Sequence, residues 1–84
     1  MVDRLLIAGN WKMNLDKAGA IELTDALTKD QDTFKGVDVA VFPPSLWLTS
    51  VGDLIGSGGI KLGGQDCHEE LEGAHTGDIS AKML

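Results

Sequence analysis

Apolar residues fall along this chain in two alternating kinds of pattern. Residues 5–8 form a short unbroken apolar run between Arg4 and Gly9-Asn10, which reads as a strand. Between residues 17 and 30, Ala18, Ile21, Leu23, Ala26 and Leu27 recur among polar neighbours at roughly helical spacing. Asp16 is placed to cap that helix, and the polar run at 30–32 ends it. Residues 37–42 are rich in β-branched side chains and stop at Pro43-Pro44, which predicts a second strand. Ser45 is placed to cap a helix running to Ile55, and Gly56-Ser57-Gly58-Gly59 stops it. Residues 60–65 read as a third strand. A polar stretch over 66–78 follows, and 79–84 read as the first turn of another helix, with Thr76 or Asp78 near its start.

The order β-α-β-α-β-loop-α, with short connections, predicts an α/β architecture of parallel strands. The first two strands are apolar without clean alternation, as strands covered on both faces are. The third carries Lys61, Gly63, Gly64 and Gln65, and small residues there suit a crowded barrel interior. Three parallel strands have two open edges, and two helices cover only one face. The expectation is an incomplete barrel wall, residues 1–84 forming one segment of a larger domain that other polypeptide material completes.

Composition narrows the classes. The 84 residues include 7 basic and 13 acidic side chains, a net charge of -6, which argues against a nucleic-acid partner. An apolar share of 43% is too high for a disordered tail. No apolar run approaches the roughly 18 residues of a membrane span, and the start does not read as a secretory signal. The single cysteine, Cys67, fits a reducing, cytoplasmic setting.

Gly9-Asn10-Trp11-Lys12-Met13-Asn14 follows the first strand, at the end of a parallel sheet where sites assemble. Asn10 offers an amide, and Lys12 points to the same side if the chain stays extended. Such a pair suits a small anionic substrate. Taken alone it also reads as a turn-forming Asn and a solvated Lys.

The motif has company. The chain resembles triosephosphate isomerase in Ala8-Gly9-Asn10-Trp11-Lys12-Met13-Asn14, in Pro43-Pro44, in Gly64-Gln65-Asp66 and in Gly73-Ala74-His75-Thr76-Gly77-Asp78-Ile79-Ser80-Ala81. The resemblance implies the first three units of a (β/α)8 barrel, and a reaction interconverting dihydroxyacetone phosphate and glyceraldehyde 3-phosphate without metal or organic cofactor. It implies that Asn10 and Lys12 are catalytic and substrate-binding residues, with Lys12 neutralising the phosphate dianion and the developing enediolate. It also implies that the 66–78 loop inserts into a second subunit, with Thr76 at the tip. Asn14, Gln65, His75, Gly77 and Asp78 then fall at interface or loop-supporting positions. Three residues of the 66–78 loop depart from the family's habit: His75 replaces an aromatic, Asp78 replaces Glu and Asp66 replaces Asn.

A full family member needs about 250 residues and eight units. The family's general base, a Glu, and its electrophile, a His, lie in later segments. His68, His75, Glu69, Glu70 and Glu72 do not match them. The expectation is therefore a split isomerase, completed by a complementary C-terminal chain that supplies both groups and inactive without it. The alternative is an inactive fragment that self-associates through its strand edges. His68-Glu69-Glu70-Leu71-Glu72 lacks the second His of a zinc helix, and no Cys-x-x-Cys occurs, so no metal site is expected. Trp11 and Trp47 read as packing residues.

Overall fold

In the computed structural model, which describes residues 3–84, three parallel strands stand side by side in chain order. They are β1 (Leu6–Asn10), β2 (Asp38–Phe42) and β3 (Ile60–Leu62), joined by α1 (Lys17–Asp30) and α2 (Leu48–Ile55). Leu6 pairs with Asp38 and Asn10 with Phe42; Val39 pairs with Ile60 and Val41 with Leu62.

Side chains alternate across a strand, so partners in register share a face. Val39, Val41 and Ile60 face the helices and meet Ala20, Leu27, Val51 and Ile55 in the core. The opposite face carries Ala8 and Asn10, then Ala40 and Phe42, then Lys61. Among the described residues, only β2 is paired on both sides. At the β1 edge, Leu6 is 59% and Ile7 52% exposed. The β1 edge is therefore uncovered among the described residues, while Ala40 on the face opposite the helices is buried.

The first helix begins and ends where its pattern predicts. Asp16 accepts the Gly19 N–H at 2.8 Å, and such a cap is worth about 1 kcal/mol. Thr24, almost wholly buried, returns its hydroxyl to the Ala20 carbonyl at 2.7 Å, so its burial leaves no orphaned donor. Beyond Asp30 the chain tightens into a 3-10 turn, Gln31–Phe34, which brings Phe34 against the core. Asp25 accepts from Lys29 at 2.8 Å, and this bond raises the Lys29 pKa above its usual 10.5. The pair's small surface contribution is complete below that value and is lost as pH rises through the folded pKa.

Other boundaries differ from the expectation. Ser45 does not cap a helix: a 3-10 turn, Ser45–Trp47, precedes α2, and the Leu48 N–H that such a cap would hold bonds to the Ser45 carbonyl. The third strand ends at Leu62 instead of Gln65. A Cβ at Gly63 would sit 2.5 Å from the Phe42 ring, so only glycine lets that ring lie against the strand end. The last residues form a single turn in which Leu84 N–H donates to the Ser80 carbonyl at 3.2 Å. Its cap is Ser80, whose hydroxyl accepts from Met83 N–H at 3.3 Å, and not Thr76 or Asp78.

Candidate active site

Asn10 is the last residue of β1, and Trp11 N–H extends the ladder by one bond, to the Phe42 carbonyl at 3.1 Å. The chain then leaves the extended conformation. Lys12 has φ 56° and Leu15 φ 76°, so two non-glycine residues stand in the left-handed region within four positions. Each costs roughly 1–2 kcal/mol, and such conformations persist only where neighbours over-determine them. The chain therefore does not stay extended from Asn10 to Lys12, contrary to the expectation. A hydrogen bond and a reversal of the backbone, instead of strand alternation, set their relation.

Side chains from three successive units hold the reversal. The Asn10 Oδ1 accepts the Lys12 N–H at 2.8 Å. The Gln65 Nε2, just past β3, donates to the Lys12 carbonyl and to the Phe42 carbonyl, each at 2.8 Å. Both hydrogens of one amide are thereby used, and the ends of β2 and β3 are tied to the Lys12 peptide. Asn14 Nδ2 closes the turn on the Trp11 carbonyl at 2.9 Å. Trp47 Nε1 donates to the Leu15 carbonyl at 3.2 Å, pinning the second left-handed residue. Among the described residues no carboxylate forms an ion pair with the exposed Lys12. The outcome is an ammonium and an Asn amide group at the mouth of a sheet, on a backbone that cannot easily relax.

The 66–78 loop leaves from and returns to the same place. His68 N–H donates to the Ile79 carbonyl at 2.7 Å, and His68 bridges Ser80. Thr76 is exposed, and Gly77 has φ 90°, a conformation that glycine adopts freely. His75 does not project outward on its own: its ring stacks on His68 with centroids 3.8 Å apart. Asp78 N–H bonds the His75 carbonyl at 3.0 Å. Asn14 and Gln65 are engaged within the chain through the bonds described above, and Gln65 also walls a cleft of about 150 Å³ between Ser45 and Asp78.

The sequence profile of triosephosphate isomerase matches residues 5–84. The chain belongs to the triosephosphate isomerase family. It is 47% identical to the triosephosphate isomerase of Xanthobacter autotrophicus over 83 residues, which is 96% of this chain and 32% of that protein. It is 45% identical to the enzyme of a Bradyrhizobium species, covering all of this chain and 35% of the relative. The crystal structure of triosephosphate isomerase from Bartonella henselae superposes with a TM-score of 0.88 at 36% identity, covering 98% of this chain and 33% of that one. The chain thus spans about a third of the length of the relatives it matches, and its sheet is part of a TIM barrel.

Three features of the site escaped the sequence reading. Trp47 serves the backbone of the Lys12 loop as well as packing. Leu15 takes a left-handed conformation that nothing in its residue type announces. His68 is the partner of His75. The Trp47 bond to the Leu15 carbonyl and the His68–His75 stack are pairings that only the fold supplies.

Proposed function

We propose that Asn10 and Lys12 form the electrostatic half of a triosephosphate isomerase site, which interconverts dihydroxyacetone phosphate and glyceraldehyde 3-phosphate when a complementary C-terminal chain completes the barrel. The observation behind this reading is the left-handed Lys12, held by Asn10 and Gln65 at 2.8 Å each. A solvated surface lysine has no need of such restraint.

The chemistry follows from what is left free. The Asn10 Oδ1 is occupied by the Lys12 N–H, so its NH2 group is the donor available to a substrate oxygen. Lys12 supplies positive charge where phosphate binds and where an enediolate oxygen gains charge. At about 4 Å and an effective dielectric near 20, one ammonium stabilises one negative charge by roughly 4 kcal/mol. Because these groups are fixed before reaction, little reorganisation opposes them. Proton abstraction is a different task, and the base Glu and electrophilic His belong to the remaining segments. Thr76 at the loop tip, with Asn14, Gln65, His75, Gly77 and Asp78, contributes to pairing with a second subunit. A cytoplasmic setting accords with the free thiol of Cys67.

The test is co-expression of this chain with the segments that complete the barrel. A stable complex with isomerase activity that depends on Lys12 is expected. A complex without activity, or no complex, overturns the reading. The exposed β1 edge favours one competing view, an inactive fragment that self-associates. A monodisperse homo-oligomer that ignores the complementary segments in sedimentation would establish that view instead.

A further inference from the structure

We propose that the segments completing this barrel carry an inward-facing Asp or Glu that takes the Lys61 ammonium, so that the inner face of the sheet selects its covering strands by charge. This recognition rests on the reading of the chain as one part of a barrel completed by another, and it names a chemistry for that partner.

Lys61 stands in the middle of β3, between two residues that face the helices. Ile60 is 5% exposed and belongs to the core. Leu62 Cδ2 lies 3.2 Å from the position a Cβ on Gly52 of α2 would take. Alternation along the strand therefore turns Lys61 to the other face. There it pairs in register with Ala40, and Ala40 with Ala8. This row sets one long cationic side chain beside two methyl groups. Lys61 is exposed, and among the described residues its ammonium forms no ion pair.

Closing the barrel changes that setting. The interior of such a barrel is filled by side chains and is not a water-filled pore. A cation enclosed there loses its hydration, and only a partner of opposite charge makes up for the loss. Among the inward positions of the three strands the one carboxylate is Asp38, two residues before Ala40 and so diagonal to Lys61. It is already engaged. Arg4 Nε lies 3.2 Å from Asp38 Oδ1, and Arg4 Nη2 donates to the Lys35 carbonyl at 2.8 Å. Arg4, Asp38 and Lys61 thus leave a local surplus of positive charge in a chain whose net charge is -6. A wholly apolar partner face would bury Lys61 unpaired. An Asp or Glu projecting inward from the completing strands satisfies it.

The deciding experiment is a crystal structure of the completed barrel, beside the dissociation constant of this chain for the completing segments. An Asp or Glu oxygen of those segments should lie within about 4 Å of Lys61 Nζ. An Nζ turned out to bulk water, or paired with Asp38 alone, overturns the proposal. Lys61→Met keeps an unbranched apolar stem and strips the charge, which leaves the partner carboxylate alone. It should weaken binding at least about a hundredfold, and replacing that carboxylate by its amide should restore most of the loss. Equal affinity of Lys61→Met and the unmodified chain overturns the proposal and leaves the split-isomerase reading in place. Should the variant fold poorly, the structure of the unmodified complex still decides. No complex with the unmodified chain overturns both.

Discussion

Replacing Gln65 by Met removes one amide, leaving the Lys12 carbonyl without its donor and the Phe42 carbonyl with the Trp11 N–H alone. The Gln65 side chain gives its two hydrogens to Lys12 O and Phe42 O, both at 2.8 Å. Each bond contributes about 0.5–1.5 kcal/mol net, and because the site is solvent-exposed the lower half of that range applies, about 1–2 kcal/mol in sum. The left-handed Lys12 costs roughly 1–2 kcal/mol. The restraint and the strain are therefore of one size, and removing the restraint lets the backbone relax. At about 1.4 kcal/mol per factor of ten, the share of molecules with Lys12 correctly posed falls roughly 5- to 30-fold. The assay is kcat/KM for triose phosphate in the completed barrel, beside urea unfolding of the same preparation. The expected result is a loss of kcat/KM in that range. Gln65→Glu, which keeps the shape but sets a carboxylate oxygen against two carbonyls, should be at least as damaging. Wild-type kcat/KM in Gln65→Met, with stability alone reduced, would refute the idea that Gln65 poses Lys12.

Further consequences can be checked with single substitutions. Lys12→Gly relieves the left-handed strain while deleting the ammonium, so isomerase turnover should fall at least about a hundredfold while the melting temperature holds or rises; normal turnover would show that the charge is not used. Gly63→Ala places a methyl 2.5 Å from the Phe42 ring and should cost about 1–3 kcal/mol in chemical denaturation, a cost that Phe42→Leu in the same chain should largely relieve. Thr76→Arg, at the exposed loop tip, should reduce oligomer size in sedimentation with little change in melting, and an unchanged oligomer would count against the inserted-loop assignment.

How much of this could be read from the residues differs from element to element. The first helix was legible throughout, because Asp16, the apolar spacing and the polar end at Asp30 all point one way. The second was legible only in its body. Its start is governed by backbone bonds to the carbonyls of Pro44 and Ser45, which carry no side-chain signature. The third strand ends early because Gly63 serves the Phe42 ring, a contact between residues 21 positions apart in the chain. Asn10 and Lys12 were legible as chemistry, from residue type and from their place after a strand. Their geometry was not. Left-handed backbone at a lysine is set by Gln65, 53 residues away, and long-range restraint of this kind leaves no periodic trace.

The same restraint explains how three neighbouring strands hold Asn10 and Lys12 in place. Asn10 ends β1, the Phe42 carbonyl ends β2, and Gln65 follows β3, so the Lys12 peptide is fixed by the carboxyl ends of three neighbouring strands. Their relative heights are set by the sheet register, which pairs Asn10 with Phe42 and Val41 with Leu62. A slip of one residue would turn Asn10 to the helix face and carry the Gln65 amide away from Lys12. Three strands are therefore the smallest unit that can pose this lysine, because two would lack Gln65. Posing a charge and moving a proton have different structural requirements. The first needs only neighbouring strands in register. The second, on the proposed reading, needs a base and an acid from other positions around a barrel.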